Sequence, residues 1–241
     1  MIPWLDPGVA MPFPDVETAA VYPNGLLAAG GDLEPERLLD AYRQGIFPWY
    51  SDGEPILWWS PDPRMVLNPA EVYCSRRLAR TIRRGGFSLA LDRHFESVMR
   101  HCAAPRDGQP GTWITEDMLQ AYTRLHQAGF AHSLEVLRDG ALVGGIYGVG
   151  LGRAFFGESM FHSVSNASKI ALVALCGVLT HHHVGLLDCQ LESAHLFRMG
   201  ARPMPRSEFI SAVGQLVDQP GPSGHWHSLA LPLQWAPLFA D

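Results

Sequence analysis

The chain is poor in lysine, in paired cysteines and in long apolar runs, and each shortage excludes a class of protein. Its four cysteines stand far apart without a Cys-x-x-Cys pair, which argues against a disulfide framework and a zinc site. The longest apolar run, residues 170–179, is too short to cross a bilayer, and the first residues lack the basic and apolar regions of a signal peptide. With 47% hydrophobic and 17% charged residues, the composition predicts a globular cytosolic protein of one large or two small domains.

Positive charge comes almost entirely from arginine and is concentrated in one short segment. Lys169 is the only lysine among 18 basic residues, and the net charge is −6. Ser75 is a good helix N-cap and Gly85-Gly86 a good stop, so the spacing predicts a short helix between them. One face of this helix carries an arginine stripe formed by Arg76, Arg80, Arg83 and Arg84, with Arg77 beside them. The stripe is either a phosphate-binding surface for nucleic acid or, as most charge runs are, a solvated helix face.

A change of composition near Pro63 divides the chain into two predicted domains, residues 1–63 and residues 64–241. Proline, glycine and aromatic residues dominate the first part, where residues 33–44 have helical spacing. The tryptophans of this part are as compatible with core packing as with a binding surface; they include Trp49, Trp58 and Trp59.

The second part alternates helical and strand patterns, which predicts a mixed α/β layer. The predicted helices are residues 116–127 and 166–181; the predicted strands are residues 133–138, 141–149, 154–156 and 184–187, with turns at residues 139–140 and 150–152. Strand, hairpin, helix, strand is the order of an acetyltransferase-like fold, although order alone does not prove one. The glycines at 145, 148 and 150 do not open a helix, so they predict neither a Walker loop nor a dinucleotide site.

Two acids beside apolar sequence are the first candidates for chemistry. The strand-like run before Asp188 stops there, with Gln190 two residues on, and Glu158 lies in the upstream segment Gly157-Glu158-Ser159-Met160-Phe161. A carboxylate beside buried apolar surface is costly unless it is paired or used. The alternative is that Asp188 merely caps the end of the strand.

Several motifs, in order and at comparable spacing from about residue 24 to residue 209, carry a specific resemblance. They are residues 24–28 (Asn-Gly-Leu-Leu-Ala), 30–33 (Gly-Gly-Asp-Leu), 45–50 (Gly-Ile-Phe-Pro-Trp-Tyr), 58–64 (Trp-Trp-Ser-Pro-Asp-Pro-Arg), 111–114 (Gly-Thr-Trp-Ile), 157–161, 167–169 (Ala-Ser-Lys) and 188–190 (Asp-Cys-Gln). Together they closely resemble the leucyl/phenylalanyl-tRNA–protein transferases.

The resemblance implies an enzyme that moves leucine or phenylalanine, and methionine less readily, from charged tRNA to proteins beginning with arginine or lysine. The product is an N-degron, a destabilising N-terminus that marks the protein for degradation. The implied fold is α/β (α+β): a small N-terminal domain plus a GCN5-related acetyltransferase-like domain with a mixed, mostly antiparallel sheet. The family uses no metal and no other cofactor and works in the bacterial cytoplasm, and we expect a monomer that binds no membrane.

The resemblance also assigns roles to residues. Asp188 and Gln190 are the expected catalytic pair: Asp188 polarises the reacting amine or carbonyl that Gln190 contacts, or it only holds the cationic acceptor while a tRNA hydroxyl relays the proton. Glu158 is expected to bind the acceptor, and the arginine stripe to bind the tRNA acceptor stem. The expected apolar pocket for the donor side chain comprises Trp49, Trp113, Tyr122, Ile146, Phe155, Leu172, Leu175 and Leu187.

Some positions depart from the family pattern. Ile146 replaces an expected methionine and Leu175 a frequent phenylalanine, so both can alter the donor preference, while Arg198-Met199 stands where Ser-Leu is usual.

Three rival functions are a CoA-dependent acetyltransferase, a Cys-His hydrolase built on Cys189, and a non-catalytic RNA-binding protein. The acetyltransferase would need a pyrophosphate-binding loop before residue 166, and the sequence there has none. The histidines at 181–183 point in different directions at a helix end, and so we expect helix capping there and not a metal site.

Overall fold

The computed structural model describes residues 2–105 and 114–229, and its first part contains a small sheet with one helix. The strands of this sheet lie in the order β1-β2-β4-β3; they are β1 (Trp4–Leu5), β2 (Leu26–Gly30), β3 (Phe47–Pro48) and β4 (Leu57–Trp59). Helix α1 (Pro35–Arg43) begins with Pro35 in its first turn, where a missing N–H costs nothing, and buries Leu38, Ala41 and Tyr42. The helix expected at residues 33–44 is therefore observed.

A larger sheet of seven strands forms the rest of the structure, in the order β11-β5-β10-β9-β8-β7-β6. Its strands are β5 (Arg64–Leu67), β6 (Phe87–Leu91), β7 (Ala131–Arg138), β8 (Ala141–Leu151), β9 (Ala154–His162), β10 (Leu186–Gln190) and β11 (Arg202–Met204). Among the described strands of this sheet, only the β9 and β10 pair is parallel. The expected mixed, mostly antiparallel sheet and its order of elements are confirmed.

Helices cover both faces of the large sheet. They are α2 (Arg76–Arg84), α3 (Phe95–Ala103), α4 (Glu116–Gln127), α5 (Ala167–His181), α6 (Ala194–Arg198) and α7 (Arg206–Leu216). One apolar cluster contains α5 and the buried side of α2, and a second contains α1, α3, α4 and the N-terminal strands. The second cluster is continuous from Leu27 through Tyr42 to Phe156, so the small sheet packs on the large one through a shared core. No helix among the described residues is long and apolar enough to cross a membrane.

The parallel strands β9 and β10 separate after a short paired stretch, and this split positions the site described below. Their pairing runs from Ala154 and Leu186 to Phe156 and Asp188. Beyond it β9 continues to His162, while β10 shifts register against β5 and ends at Gln190, whose φ is +62°. A left-handed non-glycine residue at a register shift is a local bend that turns the strand end away from its neighbour.

Most predicted elements are observed, and their boundaries are where the structure differs. Helix α4 matches residues 116–127, and the Asp139-Gly140 hairpin has both residues at positive φ. The turn expected at residues 150–152 is wrong in position: β8 continues to Leu151, because Gly150 pairs with Phe155, and the chain turns at Gly152. Strand β9 runs far beyond residue 156, and Asp188 lies within β10 and not at its end.

Candidate active site

Asp188 is completely buried and is paired with an equally buried arginine. Its two carboxylate oxygens accept from Arg64 Nε at 2.9 Å and Arg64 Nη2 at 2.7 Å, and both side chains have 0% exposure. A two-pronged pair of this kind neutralises two charges that would otherwise be very costly to bury. Asp188 also accepts from the backbone N–H of Gln190 at 2.8 Å, which holds the left-handed bend of that residue.

The partner of Asp188 is itself held from several sides. Arg64 Nη1 donates to the carbonyl of Gly45 at 2.9 Å. Its guanidinium lies over the rings of Phe47 and Phe209, at 4.7 and 4.6 Å from their centroids. Gly45 follows helix α1 at a φ of +69°, and a Cβ there would clash with the Ile210 side chain, so this turn requires glycine.

Glu158, on β9 beside the split, has neutral partners instead. Its Oε1 accepts from Tyr42 at 2.7 Å and from Gln190 Nε2 at 2.8 Å, and its Oε2 accepts from Tyr122 at 3.2 Å. Burial raises the pKa of Glu158 to about 7, against the two tyrosine hydrogen bonds, which lower it. The carboxyl group is therefore poised to exchange a proton near neutral pH, which is the property that acid–base chemistry requires.

The two tyrosines form a buried wall behind Glu158. Tyr42 and Tyr122 are both at 0% exposure, and their hydroxyl groups contact each other as well as the carboxylate. Burial is the main cause that raises the pKa of each well above its usual value, followed by the nearby charge of Glu158. Both therefore stay protonated and act as hydrogen-bond donors.

A cleft opens in front of Glu158 and continues into an apolar slot. The cleft has a volume of about 350 Å³ and is lined by Phe47, Pro48, Trp49, Glu158, Ser159, Met160, Cys189, Gln190, Leu191 and Ser193. The slot has a volume of about 80 Å³ and shares Glu158, Ser159, Met160 and Cys189 with the cleft. The split between β9 and β10 thus presents a larger compartment of mixed polarity and a smaller apolar one, with the titratable carboxyl group of Glu158 lining both.

Comparison with known proteins shows what this arrangement is similar to. The family model described as leucyl/phenylalanyl-tRNA protein transferase matches residues 66–214, and its N-terminal domain model matches residues 31–62. The chain belongs to this transferase family. Its relatives include the transferases of Nitrosomonas eutropha (57% identity over 90% of this chain and 92% of the relative), Thiobacillus denitrificans (58%, 89% and 94%) and Pseudomonas entomophila (54%, 91% and 97%). It is accordingly an aminoacyltransferase whose substrates are aminoacyl-tRNA and protein.

Among solved structures, the chain is distantly similar to FemX and to a GCN5-related N-acetyltransferase from Kribbella flavida. FemX has a TM-score of 0.43 at 10% identity, over 75% of this chain and 71% of FemX. The acetyltransferase has a TM-score of 0.40 at 10% identity, over 71% of this chain and 61% of that chain.

The candidate site gathers some of the expected pocket residues and separates others. Ile146, Leu172 and Leu187 line the apolar slot, and Trp49 lies at the cleft with 40% exposure. Phe155 and Leu175 are buried in the core cluster around α5, whereas Tyr122 belongs to the cluster on the opposite face of the sheet. Trp113 lies outside the described residues. The sheet therefore places Tyr122 behind Glu158, on the face opposite Ile146, Leu172 and Leu187.

Arg64 and Tyr42 are components of the candidate site that the sequence did not predict. The sequence does carry a signal for Arg64, because the apolar residues Met65, Val66 and Leu67 follow it directly in one strand. An arginine buried with them is as costly as a buried Asp188 and needs a partner of opposite charge. Tyr42 gave no comparable signal, since a tyrosine on the apolar face of a helix usually serves the core.

The predicted arginine helix is observed with its cap. Ser75 accepts from the Leu78 N–H at 3.2 Å, and Leu78 and Ala79 are buried. The four arginines of the stripe and the neighbouring Arg77 are all exposed. The helix thus presents a cationic face to solvent, which is the geometry that phosphate binding needs.

One cluster of possible metal ligands occurs among the described residues, and it does not include the histidines at 181–183. Atoms of Asp92, His126 and His225 lie within 4.8 Å of one another. The Asp92 carboxylate already accepts from the backbone N–H groups of Ser133 and Trp226 and from His132 Nδ1. These contacts bind the segment around Trp226 to the sheet without an ion.

Proposed function

We propose that this transferase moves leucine or phenylalanine, and methionine less readily, from tRNA to the α-amino group of proteins beginning with arginine or lysine. The product would be an N-degron, formed in the bacterial cytoplasm without metal or ATP. The single observation that carries the proposal is Glu158, a buried carboxyl group with a pKa of about 7, placed between the cleft and an apolar slot. This arrangement supplies a place for an apolar donor side chain and a proton acceptor beside it.

The apolar slot receives the donor side chain. Its walls include Ile146, Leu172 and Leu187, and the described residues that line it carry no charged side chain beyond Glu158 and Asp188. A Leu, Phe or Met side chain gains free energy by leaving water there, whereas a polar side chain would lose its hydrogen bonds to water. Trp49, exposed at the cleft, offers an aromatic face for the terminal adenine of the tRNA.

Aminolysis of the aminoacyl ester needs a neutral amine and no protein nucleophile. The ester is already activated, and the α-amino group has a pKa of about 8, so a base must remove its proton. In our assignment the ammonium proton leaves to solvent first, and the ionised Glu158 then takes one of the two remaining N–H protons as the neutral amine nitrogen forms its bond to the ester carbonyl carbon. The proton then passes to the ribose oxygen as the carbon–oxygen bond breaks, which restores Glu158.

Asp188 and Gln190 have different parts in this scheme. The carboxylate oxygens of Asp188 already accept hydrogen bonds from Arg64 and from the Gln190 N–H, so we assign Asp188 to positioning and not to proton transfer. Gln190 contacts Glu158 through its Nε2 and lines the cleft, where its side chain can meet the substrate. The remaining capacity of the Glu158 carboxylate is available to the cationic acceptor.

The arginine stripe binds the tRNA acceptor stem in this proposal. Contacts from Arg76, Arg77, Arg80, Arg83 and Arg84 to phosphates would carry no base specificity, which suits an enzyme that accepts tRNAs of different sequence. Replacing Arg80 and Arg84 by glutamine should then weaken tRNA binding and flatten its salt dependence by about 0.9 per lost phosphate contact.

Transfer of labelled phenylalanine from Phe-tRNA tests the proposal. The acceptors are one protein made with N-terminal arginine, lysine, methionine or alanine, and Leu-tRNA, Met-tRNA and Val-tRNA replace the donor in parallel. Label should enter the arginine and lysine proteins alone, and fastest from Leu-tRNA or Phe-tRNA. Equal labelling of all four acceptors, or none from either main donor, would overturn it.

A further inference from the structure

Two aromatic side chains are exposed beside the short helix α6. Phe197 is 52% exposed and Tyr73 is 60% exposed. They belong to distant parts of the sequence but to adjacent exposed segments, because the Tyr73 N–H donates to the carbonyl of Met199 at 2.8 Å. We call Tyr73, Phe197, Arg198 and Arg202 the aromatic ridge.

The ridge lies between the cleft and the arginine stripe. Ser193, immediately before α6, lines the cleft, and Leu196 within α6 lines the apolar slot. At the other end of α6, Met199 is hydrogen-bonded to Tyr73, which precedes the N-cap of α2 at Ser75 by two residues. A strand of nucleic acid that runs from the stripe to the cleft by the direct route must therefore cross the ridge.

The ridge is cationic as well as aromatic. The Arg202 guanidinium lies over the Phe197 ring at 4.5 Å from its centroid, and Arg202 Nη1 donates to the carbonyls of Phe197 and Ala201. Arg198 is exposed, and both Arg198 and Lys169 act electrostatically on His195 at the start of α6. The nearby acids are Glu192 and Glu71, of which Glu71 accepts a hydrogen bond from Asn68.

We propose that the aromatic ridge binds the unpaired 3′ end of the tRNA, with bases stacked on Tyr73 and on the open side of Phe197 and with Arg198 on a phosphate. This inference rests on the proposed function, since it needs a tRNA stem on the stripe and an ester in the cleft. Interleaved aromatic and cationic side chains are the surface that single-stranded nucleic acid favours, because every base can stack and every nucleotide carries a phosphate. Such contacts read no sequence and would suit all tRNAs, whose acceptor stems end in the same unpaired trinucleotide.

Binding of two uncharged RNAs tests the ridge in the full-length protein. One is tRNA with its 3′ end intact, and the other is the same tRNA with the unpaired 3′ nucleotides removed. The variants are Phe197→Ala and Tyr73→Ala, with Tyr22→Ala as the control, since Tyr22 is 93% exposed in the N-terminal region. We expect each ridge variant to bind intact tRNA about tenfold more weakly, and truncated tRNA as the wild type does.

A third ridge variant, Arg198→Gln, should lower the salt slope for intact tRNA by about 0.7, the value for one contact to a single strand, and leave the slope for truncated tRNA unchanged. Unchanged affinity of the ridge variants for intact tRNA, or an equal loss for both RNAs, overturns the ridge. If the wild type binds tRNA and transfers phenylalanine, and the ridge variants bind both RNAs as the wild type does, only the proposed role of the ridge is wrong. If the wild type neither binds tRNA nor transfers, the proposed function fails and the ridge with it.

Discussion

The two carboxylates at the split between β9 and β10 have opposite kinds of partner. Asp188 is held by the guanidinium of Arg64 and by a backbone N–H, whereas Glu158 is held by two tyrosine hydroxyls and one amide. A cation nearby favours an ionised carboxylate, while neutral donors only partly offset the cost of burial. In our proposal these two buried acids therefore divide the work: Asp188 fixes the geometry and Glu158 exchanges protons.

The largest expected effect comes from removing Arg64, the cation that distinguishes the surroundings of Asp188 from those of Glu158. Arg64→Met should lower the free energy of unfolding by about 3–5 kcal/mol, because it leaves the Asp188 charge buried and unpaired. The measurement is urea denaturation of the wild type and the variant. The double variant Arg64→Met/Asp188→Leu is the matched control and should recover much of the loss, since it removes both charges. If the double variant is no more stable than Arg64→Met, the ion pair is not the cause.

Exchanging each acid for its amide separates the two roles. Glu158→Gln keeps the size of the side chain but cannot accept a proton, so we expect transfer in single-turnover assays to fall by about 10² or more, with the stability at pH 7 unchanged or higher. Asp188→Asn should instead lower the stability, because Arg64 loses its counter-charge. Full transfer activity in Glu158→Gln would move the proton acceptor elsewhere.

The pKa of Glu158 also predicts how stability depends on pH. Between pH 4.5 and about 7 the unfolded chain loses this proton while the folded chain keeps it, so unfolding releases a proton and stability falls as pH rises. The stabilisation is fully present below pH 4.5 and is lost as pH rises through about 7, a change on the order of 3 kcal/mol. The difference in unfolding free energy between wild type and Glu158→Gln isolates this group, and a difference that stays flat over this range would contradict the assignment.

Local sequence signals predicted the elements of this fold better than the site. The helical pattern of residues 116–127 placed helix α4 correctly, because this signal lies within the helix itself. The Arg64 and Asp188 pair joins residues 124 apart in the sequence, and Tyr42 reaches Glu158 across 116 positions. Such pairs depend on strand order and on packing between the two sheets, which no local spacing records. For this reason Asp188 and Glu158 could be nominated from the sequence, but their partners could not.

The smallest expected effect concerns the donors to Glu158. Tyr42→Phe removes a 2.7 Å hydrogen bond to the carboxylate, so the pKa of Glu158 should rise further. The midpoint of the pH profile of the transfer rate should then shift to higher pH by about one unit. Tyr122→Phe removes a longer, 3.2 Å contact and should shift the profile less. The measurement is the pH dependence of single-turnover transfer at saturating aminoacyl-tRNA. A role of Tyr42 in packing alone would lower the rate equally at every pH, whereas its role as a donor to Glu158 requires the midpoint itself to move.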